Sequence, residues 1–184
     1  MNTLVRRALT SATAGALLFA GAVATSGTAA AATDTHCKTS SKSFDLPGKP
    51  DVKVSLTICV RYNGTSGGYR HYQAWFSKAS WDGTSFFTGG KRFNDFSVLQ
   101  LAQHGRTTVK DCAYGTCLWR SVSSEINNSE HGSKTYPSDA RGYGIAYVKT
   151  KSKNWTADAV VDYDIADDGK PGKTWNLAGT AAVS

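Results

Sequence analysis

From Val52 to Tyr62 apolar and polar residues alternate without a break, with Val52, Val54, Leu56, Ile58, Val60 and Tyr62 on one parity and Lys53, Ser55, Thr57, Cys59 and Arg61 on the other. Successive side chains of a strand point to opposite faces, so this run buries one face and wets the other as a β-strand. A second run, from Trp155 to Ile165, sets Trp155, Ala157, Ala159, Val161, Tyr163 and Ile165 against Thr156, Asp158, Asp162 and Asp164. Shorter strands are predicted at residues 69–76, 84–87, 96–102, 107–114, 118–122, 143–150 and 174–177, and no window keeps a helical period. Between them stand Asn63-Gly64, Gly67-Gly68, Asp82-Gly83, Gly89-Gly90, His104-Gly105 and Asp168-Gly169, residues that accept the positive φ of tight turns. Short strands with such punctuation predict an all-β fold, an antiparallel β-sandwich of about eight strands whose two sheets bury the apolar parities. The polar stretch 123–141 is expected to be a long loop.

The first residues belong to a different class. Arg6 and Arg7, an apolar run from Ala8 to Ala24 and small residues up to Ala32 predict a secretory signal peptide over 1–32, removed near Ala32 or Thr33. Thr10, Ser11, Thr13, Gly15 and Gly21 dilute the run too far for a membrane anchor. The remaining 33–184 is expected to be one secreted, extracellular domain, large enough for a real core and with no membrane attachment after cleavage.

Cys37, Cys59, Cys112 and Cys117 all fall after the signal, so two disulfides are expected in an oxidising compartment. Of the three possible pairings, Cys37 with Cys59 and Cys112 with Cys117 is the expected one, because the second closes a short hairpin and the first ties down the start of the domain. Scattered His36, His71, His104 and His131 do not make zinc spacing with these cysteines.

Charge narrows the partners only a little. Of 21 basic residues two, Arg6 and Arg7, lie in the signal, and all 14 acidic residues lie after it, so the rest of the chain keeps a net +5. No run of five like charges marks a specific nucleic-acid tail. Lys149, Lys151 and Lys153 would share one face of a strand, where lysines protect an edge.

Catalytic signatures are sparse. The chain has no nucleophile elbow, zinc helix, phosphate loop or dinucleotide fingerprint. Glu130-His131 is the one adjacent acid–imidazole pair. Asp158, Asp162 and Asp164 share a strand face with i, i+2 spacing of about 7 Å, inside the range of a glycosidase pair, and the wet side of an amphipathic strand accounts for the same residues. Asp164, Asp167 and Asp168 before Gly169 partly match a calcium loop, but Ala166 stands where a ligand belongs, and a hairpin turn explains the same pattern. No other cofactor is implied.

Aromatic residues crowd between Tyr69 and Phe96. Parity places Tyr69, His71, Gln73 and Trp75 on one strand face, with Trp81 beside the Asp82-Gly83 turn, a mixture suited to stacking sugar rings and bonding their hydroxyls. The segments Ile58-Cys59-Val60-Arg61-Tyr62-Asn63-Gly64, Gly89-Gly90-Lys91-Arg92-Phe93 and Lys173-Thr174-Trp175-Asn176-Leu177-Ala178-Gly179-Thr180, with the alanine-rich signal, resemble small secreted β-rich proteins of actinobacteria. The similarity spans most of the chain after the signal; it implies a Gram-positive cell exterior and transfers no activity and no site residue.

Three functional readings follow. One is a non-catalytic binding module for cell-envelope or environmental polysaccharide, with Tyr69, His71, Trp75 and Trp81 as its surface, which requires exposed tryptophans. Another is an inhibitor or effector of an extracellular protein, presenting Lys134 or Arg141 from the 123–141 loop. The third is a small secreted hydrolase built on the aspartate face. None of them dictates an oligomeric state.

Overall fold

The run 52–62 lies inside a longer strand, β2 (Lys49–Ser66), which pairs with β1 (Thr35–Leu46) on one side and β3 (Tyr69–Gly83) on the other. A computed structural model of the chain describes residues 34–83, 90–109, 119–138 and 144–184. The other strands are β4 (Phe93–His104), β5 (Thr107–Val109), β6 (Arg120–Ser121), β7 (His131–Thr135), β8 (Ile145–Thr150), β9 (Thr156–Ile165) and β10 (Lys173–Asn176), with one short helix, α1 (Ser123–Asn127). They make two five-stranded antiparallel sheets. In the first, β1, β2 and β3 run in order, and the far side of β3 carries β7 along Lys78–Asp82 and β8 along Arg70–Trp75. In the second, β10, β9 and β4 run in order, and β4 carries the short β5 and β6 on its other side.

One hydrophobic cluster joins the two sheets. Val54, Leu56, Ile58 and Val60 of β2, Phe96 and Val98 of β4, and Ala157, Ala159 and Val161 of β9 are all buried in it. The Phe44 ring of β1 packs edge-on against Phe93, Phe96 and Tyr163, with centroids 5.1, 5.7 and 5.0 Å apart. The apolar parities of both long runs therefore point inward, as their alternation requires. Cys37 and Cys59 are joined in a disulfide across β1 and β2. Residues Ala31–Ser184 form one compact unit.

Several expectations change. The 123–141 stretch is not a single loop, since α1 and β7 occupy most of its described part. Asn63-Gly64 is no hairpin turn: β2 continues through it, and the chain reverses at Gly67 and Gly68, whose φ of 57° and 77° are the positive pair a tight hairpin needs. β8 ends at Thr150, so Lys149 lies on a strand and Lys151 and Lys153 follow it. The second half of the expected 107–114 strand, the 84–87 strand, the signal segment, Arg141, and Cys112 with Cys117 lie outside the described residues.

Candidate functional site

At the end of the first sheet where β3 lies between β2 and β8, the outward residues form rows. His71 pairs with Lys149, and Gln73 lies between Arg61 and Tyr147. Asn63 and Ser66 rise from β2 on one side, Tyr147 and Lys149 from β8 on the other, and with His71 as floor they enclose a trough of about 480 Å³. Tyr69, the exposed large hydrophobic among the described residues at 38 % exposure, does not line it but pairs with Ser66 of its wall. The Lys149 and Lys151 ammonium groups lie 5.0 and 5.6 Å from the Tyr69 ring centroid. His71 Nε2 is enclosed and has no hydrogen-bond partner.

The row behind the trough is internally bonded. Arg61 donates through Nε to Asn63 Oδ1 at 2.7 Å and through Nη2 to Gln73 Oε1 at 2.8 Å, while Gln73 Nε2 donates to the Ser138 carbonyl and to the Tyr147 hydroxyl. The same guanidinium lies 5.6 Å from the Trp75 ring centroid. Trp75, packed with Cys59 and Ile145, is consequently only 8 % exposed.

Trp81 is 7 % exposed and lies on the opposite face. Thr57 pairs with Lys78 but Ile58 pairs with Phe76, so Ser77 is an extra residue, a β-bulge that reverses the parity of β3. Trp81 is thereby opposite inward-facing Val54, with its indole N–H donating to Ser129 Oγ at 3.0 Å. Of the four expected contact residues, the structure places His71 in the trough and Tyr69 beside its wall, covers Trp75, and turns Trp81 into the core; neither tryptophan offers the exposed ring that stacking needs.

Beyond Trp75 the outer face continues as a hydroxyl shelf that the sequence reading missed. Ser41, Ser55, Ser80 and Ser133 fall in register across β1, β2, β3 and β7, and Thr39, Thr57, Lys78 and Thr135 form the adjoining row. Thr39 and Thr57 hydroxyls bond at 2.8 Å, Ser41 and Ser55 at 2.7 Å. A shallow depression of about 250 Å³ between Lys53, Ser55, Ser80 and Asp82 opens onto it. The period-two Ser and Thr of β1 and β2 were the available signal.

The second sheet carries an acidic counterpart, a trough of about 340 Å³ lined by Asp95, Asp162, Asp164, Lys173 and Thr174. Asp95 accepts from the Ser97 hydroxyl at 2.6 Å, Asp162 from the Thr174 hydroxyl at 3.0 Å and Asp164 from the Asn94 amide at 3.1 Å. Burial raises the pKa of Asp158, against the Ala159 N–H it accepts, but four strand residues, about 13 Å, separate it from Asp162, too far for a glycosidase pair. The calcium candidates diverge: Asp164 is held by Asn94, Asp167 is ion-paired with Lys49 at 2.7 Å, and Asp168 accepts the Lys170 N–H at 2.8 Å. Among the described residues no group of three metal-ligating side chains converges. His131 is drawn into β7 opposite Asp82, and the Glu130 carbonyl accepts the Gly83 N–H at 3.0 Å.

The segment expected to be a loop is fastened from beneath. Arg92 has no exposed surface and donates through Nη1 to the carbonyls of Ile126 at 2.8 Å and Ser129 at 2.7 Å, and through Nη2 to that of Glu130 at 3.4 Å. Burial lowers its pKa and the nearby Glu130 raises it. Asn127 accepts the N–H groups of Arg92 at 2.8 Å and Phe93 at 3.1 Å and donates to the Phe93 carbonyl at 2.9 Å. Lys134 pairs with Ala79 on this edge strand but is itself exposed, and a lysine on an edge discourages pairing with another chain.

Among the described residues no helix is long and apolar enough to cross a membrane. No family model matches this chain, and no curated protein or solved structure is significantly similar to it.

Proposed function

We propose that this chain is a secreted β-sandwich, exported by its N-terminal signal segment, that binds a cell-envelope or environmental polysaccharide without cleaving it. The observation that carries the reading is the trough of about 480 Å³ on the outer face of β2, β3 and β8. Its walls combine hydrogen-bonding groups (Asn63, Ser66, Lys149) with aromatic ones (His71, Tyr147), and the exposed Tyr69 adjoins them through its pairing with Ser66 and the ring contact of Lys149. Sugars present apolar ring faces and hydroxyl edges together, and this mixture meets both. The Ser and Thr rows extend the contact along the same face. Tyr69 and His71 thus keep the role that Trp75 and Trp81 give up.

Mixing the protein with insoluble peptidoglycan, chitin and cellulose tests the reading. Depletion from solution without release of soluble sugar, abolished in Tyr69→Ala, is the expected result; no depletion by any of the polymers, or release of sugar, removes it.

A second reading, an inhibitor or effector of another extracellular protein, has one observation in its favour. α1 and β7 are held by buried bonds from Arg92 and Asn127, and a segment held in advance binds at lower entropic cost. Titration of secreted proteases with the protein separates the two, since a polysaccharide module leaves their activity unchanged.

A further inference from the structure

We infer that the polysaccharide this trough takes is anionic, carrying carboxylate or phosphodiester groups; the inference rests on the polysaccharide reading and specifies its ligand. Lys149 and Lys151 converge on a single ring, at 5.0 and 5.6 Å from the Tyr69 centroid, and among the described residues neither is ion-paired. A ring quadrupole attracts both ammonium groups but cancels neither charge, so their mutual repulsion persists until an anion arrives. Arg61, which shares the outer face and bonds Asn63 of the trough wall, adds a third charge whose partners, Asn63 and Gln73, are neutral amides. Asp34, across from this end of β2, is 3.1 Å from His36. A neutral glycan has no use for three cations, none of them ion-paired among the described residues, on one face beside the trough. An anionic one places its charged group beside Lys149 and Lys151 while its hydroxyls meet Asn63 and Ser66.

Calorimetric titration of the purified protein with four probes tests this: an oligogalacturonate, a phosphodiester-linked oligosaccharide, a neutral cello-oligosaccharide, and a DNA duplex. The expected result is binding of one of the two anionic glycans with at least tenfold preference over both the neutral glycan and the duplex, weakening as salt is raised. The preferred anionic probe identifies the charged group as carboxylate or phosphodiester. The double variant Lys149→Gln, Lys151→Gln is expected to lose about tenfold in affinity for that probe with its melting temperature unchanged. Equal affinity for the neutral glycan, undisturbed in the double variant, overturns the anionic ligand and leaves the polysaccharide reading standing. Equal affinity for DNA overturns it as a charge effect without sugar recognition. No binding of any glycan overturns both.

Discussion

Beneath α1 and β7 the Arg92 guanidinium, without exposed surface, directs its donors to the carbonyls of Ile126, Ser129 and Glu130. On the outer face of β2, β3 and β8 the ammonium groups of Lys149 and Lys151 meet the Tyr69 ring, and among the described residues neither is ion-paired. Both regions hold basic side chains, yet in one the charge is consumed by the fold and in the other it is left facing solvent. A buried cation must be matched by acceptors or it costs more than it contributes, so Arg92 reports on architecture. An exposed, unmatched one adds little to stability, so the trough is where charge remains available to a ligand.

The largest expected effect comes from removing the matched charge. Arg92→Met leaves the Ile126 and Ser129 carbonyls buried without this donor and is expected to cost about 3–5 kcal/mol in urea unfolding. A loss under 1 kcal/mol would show that water replaces the guanidinium and that the two regions differ less than their geometry indicates. Gly132→Ala probes the packing of the same region. Its Cβ would lie 2.6 Å from Trp81 Cζ2, a buried ring atom with no flexible end to move, so β7 must shift, at a cost of about 1–3 kcal/mol by the same measurement.

What was legible in the sequence follows from where each element lies. β2 and β9 each carry one unbroken apolar parity because each runs between two neighbours over the core, and both were readable. β1 was not, because it is an edge: its inward positions include His36, Lys38, Ser40 and Lys42, and Lys42 reaches over the rim to place its ammonium 4.6 Å from the Tyr163 ring. The trough was half legible. Tyr69 and His71 follow from parity on β3, but nothing in the local sequence marks Ser77 as the extra residue that sends Trp75 and Trp81 to opposite faces. Arg92 was invisible for a different reason: its acceptors are backbone carbonyls more than thirty positions away, and carbonyls leave no trace in residue type.

Tyr136 sharpens the comparison because it is the imperfect fit within the packed region. Its ring stacks on Phe76 with centroids 4.9 Å apart, while its hydroxyl is buried with no hydrogen-bond partner. Burial, then the charge of Glu125, pushes its pKa up to about 12 against the opposing pull of Arg120. The unfolded phenol loses its proton near pH 10, before the folded one does, so stability is intact below pH 10 and falls as pH rises through 10 to 12. Tyr136→Phe is expected to remove about 2 kcal/mol of that alkaline loss while leaving stability near pH 7 unchanged or slightly higher. Unfolding curves at pH 7 and pH 11.5 check both halves, and a loss at pH 7 would reveal a bond that the hydroxyl needs.

The smallest expected effect separates the regions most cleanly. Replacing Lys149 and Lys151 together with glutamine removes two charges, as many as any pair in the molecule, yet neither is ion-paired among the described residues and each gives the fold only a ring contact. The weak attraction to Tyr69 is offset by relief of the repulsion between the two ammonium groups, so the change in unfolding free energy is expected to stay within about 0.5 kcal/mol. Salt should act in the same sense. Raising ionic strength screens the repulsion in the wild type and has less to screen in the variant, so any difference between them shrinks as salt is added. A loss of 2 kcal/mol or more would instead mean that these lysines fasten β8 to the sheet end as Arg92 fastens α1 and β7, and the charge around the trough would then belong to the architecture.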